Sequence, residues 1–372
     1  MTQNPFALFH TSGFFYLTLP MVVMWIIGLT LIYLAISKKF EPLLLLPIGF
    51  GILVTNLPLA DLMKPEEGLI WRFYHYGIQW EIIPPLIFMG IGALTDFGPM
   101  LARPGLIFLG AGAQAGVYVT FFVAYAIGFT LKESASVGII GGADGPTTIF
   151  LATKLAPHML GTTAVAAYSY MALVPIIQPP IMRLLTSDKE RLIRMKKLRK
   201  VRQIEKLLFP IISTVLIILL VPASAPLMAM FMLGNLFREA KVVERLNMAA
   251  QNELLNIVTI FLGLSVGATM NADSFLKPRV IFVFFLGLFA FAVSTATGVL
   301  LAKLMNLFLR DKINPLLGAA GVSAVPMAAR VVQKVGARAD KHNYLLMYAM
   351  GPNVAGVIGT VIAAGIFLTI LR

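Results

Sequence analysis

Between Glu133 and Lys154 the only ionisable side chain is Asp144, set in Gly141-Gly142-Ala143-Asp144-Gly145-Pro146-Thr147-Thr148 within an apolar run over 135–155. A carboxylate near the middle of a membrane span costs roughly 2.5–3.5 kcal/mol, so it needs a partner or a task. Three glycines and a proline around it cannot hold a regular helix, because Pro146 removes a donor and the glycines permit a turn, which leaves free carbonyls beside the carboxylate. Unwound backbone at membrane depth survives where it lines a cavity or lies buried in protein, and transporters build cation sites this way. The competing reading is a tight Asp-Gly-Pro turn near the interface, in which Asp144 caps a half-helix.

A second broken segment begins at Asn314-Pro315 and runs through Gly318-Ala319-Ala320-Gly321-Val322-Ser323-Ala324-Val325-Pro326. It offers the uncharged oxygens of Asn314 and Ser323 where the first offers a carboxylate. One negative charge plus neutral oxygens suits a monovalent hard cation, Na⁺ or H⁺, better than a divalent one; plain small-residue helix packing is the alternative. Tyr168-Ser169-Tyr170 precedes Pro175, and Gly351-Pro352-Asn353 breaks the last apolar run. Tyr170 is a candidate ligand or proton donor and Asn353 a further ligand, against the simpler role of satisfying a broken helix. Arg330 follows the second break closely enough to bind a carboxylate bidentately, or to snorkel from a helix end.

The elements that must carry these residues are apolar. Of 372 residues, 58% are hydrophobic and 13% charged, against about 25% charged in an average soluble domain. An ordinary soluble enzyme is excluded and a polytopic membrane protein is predicted. Six apolar runs lie near 13–36, 42–58, 81–97, 104–131, 135–155 and 160–186; six more lie near 207–221, 225–238, 253–271, 279–309, 314–335 and 343–371. The first lacks a charged n-region and a small-residue cleavage site, so it reads as a retained helix. The mixed, aromatic stretch 61–80 reads as interfacial.

The net charge of +13 is concentrated. Residues 187–206 hold nine basic side chains against Asp188, Glu190 and Glu205, a net +6, and lie between apolar runs. Such a loop is cytoplasmic by the positive-inside rule, and its charge speaks for topology rather than nucleic-acid binding; docking of an acidic partner or of lipid headgroups is the second reading. The absence of cysteine excludes disulfides, thiolate nucleophiles and iron–sulfur clusters, and the four histidines (His10, His75, His158 and His342) show no HExxH spacing.

The two sets of runs resemble each other. Ile87-Phe88-x-Gly90 and Arg103-Pro104 match Ile260-Phe261-x-Gly263 and Lys277-Pro278 at offsets of 173 and 174; Gly142, Pro146 and Lys154 match Gly321, Pro326 and Lys334 at offsets of 179 and 180. Two duplicated halves, 1–186 and 207–372, are therefore expected on either side of the basic loop, with about 10–12 transmembrane or re-entrant helices, all α, and discontinuous helices meeting at a central ion site. Six runs per half leave parallel and inverted arrangements both open.

Phe40-Glu41-Pro42, Gly141 to Thr147, Ala167 to Pro175, Gln178-Pro179-Pro180, Gly321 to Arg330 and Gly351 to Gly359 together resemble the β subunit of the sodium-ion-translocating, biotin-dependent decarboxylases. The resemblance covers nearly the whole chain beyond residue 30. It implies a multi-pass subunit of the cytoplasmic (inner) membrane, elevator-like in its transport, that decarboxylates carboxybiotin carried by a partner subunit and couples this to Na⁺ export against H⁺ uptake. It further implies that Asp144 binds Na⁺ in exchange for a proton, that Asn314, Ser323, Tyr170 and Asn353 line ion sites, and that Arg330 lies on the path and meets carboxybiotin. Asp144, Tyr170 and Arg330 would then be the residues on which turnover depends. The chain has no Ala-Met-Lys-Met signal, so a carboxyltransferase α subunit and biotin carrier are the implied partners, with a small γ or δ membrane subunit and further copies of the chain. The short segment 60–80 resembles the compact members that serve methylmalonyl-CoA or glutaconyl-CoA decarboxylases. Two other classes fit the bare residues: a Na⁺-coupled carrier or Na⁺/H⁺ antiporter without decarboxylation, and a non-catalytic membrane anchor.

Overall fold

The computed structural model describes residues 12–275 and 277–371; His10 lies outside them. The described residues are helical, with no strand among them. Seven helices among them are long and apolar enough to cross a membrane, and an eighth span arises if Leu69–Gln79 and Ile83–Leu94, bent by 66°, count as one. The chain is thus an all-α polytopic membrane protein. The dozen apolar runs make fewer long helices because glycine and proline cut several of them: 42–58 yields only the 14-residue Pro42–Thr55, and 135–155 and 314–335 each break in two.

Helices α1 (Leu19–Ser37), α2 (Pro42–Thr55) and α3 (Ile83–Leu94) lead to the first break and to α4 (Gly145–Leu155) and α5 (Leu160–Leu185). Beyond the basic segment lie α6 (Ala225–Ala240), α7 (Leu255–Ala268), α8 (Pro278–Phe308), α9 (Met327–Ala339) and α10 (Leu346–Leu371). Close crossings hold them together, since lipid offers no hydrophobic drive between helices. Where α3 crosses α6, a Cβ on Gly92 would stand 1.9 Å from the Phe231 carbonyl, and one on Gly234 1.9 Å from that of Met89. Phe285, Leu219 and Leu220 point outward, as a lipid-facing shell requires.

The basic segment is more ordered than a solvated loop. Residues 187–206 cross one end of the bundle as a strap: the backbone carbonyls of Arg191 and Ile193 accept hydrogen bonds from the amides of Asn314 (3.0 and 2.9 Å) and Asn343 (3.2 and 3.1 Å). Arg194 pairs with Asp340 at 2.7 Å and Lys196 with Asp311 at 2.5 Å. The hydrogen bond from Lys196 holds the Asp311 carboxyl below its ordinary value of 3.8, and that from Arg194 does the same for Asp340.

Candidate functional site

The first break is built by local backbone chemistry. A 3₁₀ turn over Ile139–Gly142 ends at Ala143, whose φ of 55° is left-handed, and Asp144 is extended. The chain re-enters helix at Gly145-Pro146, where the missing proline donor costs nothing. Asp144 is the N-cap: its Oδ1 accepts from the Thr147 N–H at 3.2 Å. The second break has a 3₁₀ turn over Pro315–Gly321, extended residues at Val322 and a cis Val325-Pro326 bond before α9. The breaks touch, the Ser323 N–H donating to the Gly142 carbonyl at 2.8 Å.

Asp144 and Ser323 face one cavity of about 400 Å³, whose walls include Thr95 at the end of α3, Met171 on α5 and Val325-Pro326 at the start of α9. Asp144 is 5% exposed, and among the described residues no cation pairs with it. The Ser323 hydroxyl exchanges a 2.6 Å hydrogen bond with Thr360 of α10, which in turn donates to Gln114 Oε1 at 3.2 Å. A buried, uncompensated carboxylate beside hydroxyls and free backbone suits a small cation or a proton.

The other expected site residues stand differently. Asn353 lies behind the second break, its amide donating to the carbonyls of Ala320 (3.1 Å) and Val322 (2.7 Å) while its Oδ1 is buried with no partner among the described residues. Asn314 is spent on the strap, and its Oδ1 accepts from the Leu316 N–H at 3.1 Å. Tyr170 is buried against α8, with its hydroxyl donating to the Phe284 carbonyl. Arg330 is exposed on α9, one turn beyond Pro326. The structure therefore brings Asp144 and Ser323 together, sets Asn353 next to them as a brace, and leaves Asn314, Tyr170 and Arg330 outside the cavity lining.

Tyr168, rather than Tyr170, abuts the carboxylate's segment. A Cβ on Gly145 would fall 2.1 Å from its Cε1 and 2.7 Å from its hydroxyl, so residue 145 has room only for glycine. That hydroxyl and the Thr147 Oγ1 are both buried and lack hydrogen-bond partners among the described residues. Sequence reading chose between two tyrosines two residues apart, which point to nearly opposite sides of a helix; the glycine after Asp144 was the available signal. Thr360 and Gln114 carried no signal beyond their polarity in apolar runs.

Comparison with known proteins gives the same direction. Residues 20–371 match the family of the Na⁺-transporting oxaloacetate decarboxylase β subunit. The chain is 54% identical to the methylmalonyl-CoA decarboxylase subunit β of Propionigenium modestum over the whole of both chains. It is 54% identical to the glutaconyl-CoA decarboxylase subunit β of Acidaminococcus fermentans, covering 98% of this chain and 97% of that one. The oxaloacetate decarboxylase β chain of Klebsiella pneumoniae is 51% identical, with 97% and 98% covered. A broken-helix carboxylate site in an all-α membrane fold, matched end to end by these relatives, makes the chain a member of the family of β subunits of the Na⁺-translocating decarboxylases.

Proposed function

We propose that this chain is the membrane subunit that decarboxylates carboxybiotin presented by a partner's biotin carrier and couples the reaction to Na⁺ export, with Asp144 carrying Na⁺ in one direction and a proton in the other. The observation that carries the reading is Asp144 itself, a buried carboxylate with no counter-cation among the described residues, placed where two broken helices meet. An empty, ionised Asp144 pays the desolvation cost of a buried charge, so Na⁺ leaves as H⁺ enters and uncoupled leak is suppressed. Ser323 supplies a neutral oxygen on the opposite wall, and Asn353 keeps the second break unwound through its two carbonyl bonds. Tyr170, Asn314 and Arg330 act from outside the lining: Tyr170 ties α5 to α8, Asn314 ties the second break to the strap, and Arg330 stands on the approach.

The chain sits in the cytoplasmic membrane with the strap in the cytoplasm, assembled with a carboxyltransferase α subunit, a biotin carrier and a small γ or δ subunit. The acyl group from which the partner transferase takes the carboxyl, and which this chain itself does not meet, is a CoA thioester such as methylmalonyl-CoA or glutaconyl-CoA. In support, the alignment spans 365 positions with the glutaconyl-CoA relative and 393 with the Propionigenium methylmalonyl-CoA relative, against 422 with the Klebsiella oxaloacetate chain. The test is reconstitution with the partner subunits in sealed proteoliposomes, following decarboxylation and ²²Na⁺ uptake together. Na⁺ uptake without decarboxylation would replace this reading with a simple Na⁺ carrier.

A further inference from the structure

Two spaces adjoin at the end of the bundle opposite the strap, and the chemistry at Asp144 uses neither. The first is a cavity of about 270 Å³ with Glu133, His158, Thr162, Lys277 and Arg279 in its walls. The second is a groove of about 400 Å³ between α1 and α8, lined by Ile27, Leu31, Val165, Ile281 and Phe284. Phe275, Lys277 and Val280 line both, so a charged space and an apolar one share a wall. Their depth follows from helix length. Helix α5 runs 26 residues from Leu160, beside the cavity, to Leu185, where the strap begins, about 39 Å at 1.5 Å per residue. That exceeds the ~30 Å of bilayer hydrocarbon, which sets the cavity at headgroup level. Val165 and Phe284 lie one turn further in than Thr162 and Val280, so the groove descends into the acyl region.

Glu133 is already committed. It is 6% exposed, and its carboxylate accepts from the Thr130 N–H (2.8 Å), the Thr130 hydroxyl (2.9 Å) and Arg279 (2.9 Å) and lies 3.0 Å from His158 Nε2. It thereby orients Arg279, whose guanidinium also lies over the Phe129 ring at 4.7 Å. Lys277, in contrast, has no hydrogen-bond or ion-pair partner among the described residues. One carboxylate against Arg279 and Lys277 leaves the described lining at a net +1 with His158 neutral. Thr162 adds a hydroxyl that bonds to no described residue, although the residue is only 7% exposed. A free anion would satisfy these groups and leave the groove unused, and a bare lysine beside hydrocarbon is costly. An anionic headgroup with its acyl chain attached uses both spaces at once.

We propose that cavity and groove form one site for an anionic glycerophospholipid of the leaflet opposite the strap, with its phosphate on Lys277, Arg279 and Thr162 and one acyl chain in the groove between α1 and α8. Charge complementarity selects the headgroup, and the apolar walls hold the chain. The site rests on this geometry and on no part of the Na⁺ mechanism.

In the test, the full chain is delipidated in detergent and offered dioleoyl-phosphatidylglycerol, dioleoyl-phosphatidylcholine or inorganic phosphate. The thermal midpoint and the lipid retained in native mass spectra are read together. Phosphatidylglycerol should raise the midpoint saturably and stay bound one to one, phosphatidylcholine should bind several-fold more weakly, and phosphate alone should have no effect. Lys277→Gln should weaken phosphatidylglycerol about 5-fold, the scale of one lysine at an anionic surface, and Lys277→Arg should restore it. Ile281→Trp fills the groove from its exposed rim and should weaken both lipids. Lys132→Gln removes an exposed cation beside Glu133 but outside both spaces and should change nothing. All four variants should keep the wild-type midpoint when no lipid is added.

Equal affinity for the two lipids, or a loss in Lys132→Gln as large as that in Lys277→Gln, would overturn headgroup recognition. Stabilisation by inorganic phosphate alone, indifferent to Ile281→Trp, would make the cavity a free-anion site and overturn the lipid. Phosphatidylglycerol that leaves the native spectrum when the partner subunits assemble would likewise overturn it and give the groove to a partner helix.

Discussion

Asp144→Asn keeps an acceptor for the Thr147 N–H and removes the charge, because asparagine caps helices about as well as aspartate. The variant should fold and assemble like the wild type while losing both Na⁺-dependent decarboxylation and ²²Na⁺ uptake. Asp144→Ala loses the cap as well, at a further cost of about 0.5–2 kcal/mol, so its thermal midpoint should drop while that of Asp144→Asn holds. Retained Na⁺-dependent turnover in Asp144→Asn would remove the carboxylate from the mechanism. Tyr168 gives a second residue-scale test. A buried hydroxyl left unpaired costs about 1–3 kcal/mol, so Tyr168→Phe should be at least as stable as the wild type. Its proximity to the Asp144 segment predicts a raised Na⁺ half-saturation, read from initial decarboxylation rates; an unchanged value would make the ring a packing element only. The placing of Asp144 at a buried helix break was legible from the sequence because a lone charge amid glycine, proline and apolar residues has few structural uses. Which of Tyr168 and Tyr170 packs on Gly145 was not legible, since it depends on which side of α5 meets that glycine.

The strap shows where element-scale reading stops. Its charge and its place between apolar runs were plain in the sequence, and its docking was not: Asn314 and Asn343 grip two backbone carbonyls from positions more than 100 residues away. An asparagine before a broken helix suits an ion ligand and a tether equally well, and the bonds of Asn314 to the strap are what the sequence did not show. The ion pairs of the strap make a pH prediction. Asp311 and Asp340 are held below 3.8 by Lys196 and Arg194. A depressed folded value means that the contribution is complete above the ordinary value and is lost as pH falls through the lower one. The strap should therefore stay docked from pH 7 to about pH 4 and loosen only in stronger acid. A fluorophore on Leu198→Cys reports this as constant anisotropy followed by a fall, and added salt should shift the fall upward by screening these exposed pairs. Loosening already between pH 7 and pH 5 would mean that other groups hold the strap.

At the scale of the whole molecule, the site exists because two distant segments each surrender helical hydrogen bonds and complete one another. The Ser323 N–H caps the Gly142 carbonyl, Thr360 of α10 braces Ser323, and Gln178 of α5 donates to the Ala319 carbonyl at 2.7 Å. Several acceptors around this junction have no partner among the described residues, including Gln178 Oε1 and Asn353 Oδ1, so the junction is held below its best stability. A cation that binds only the folded junction should then stabilise the entire chain by mass action, by about 2.7 kcal/mol at a concentration 100 times its Kd. In detergent, the melting midpoint of the purified chain should rise with Na⁺ and stay flat with K⁺ at equal ionic strength. The rise should vanish in Asp144→Asn, whose fold is intact, which separates ion binding at the junction from a general salt effect. A wild-type midpoint that responds equally to Na⁺ and K⁺ would mean that the two breaks meet for structural reasons, and that selectivity arises only when the partner subunits are present.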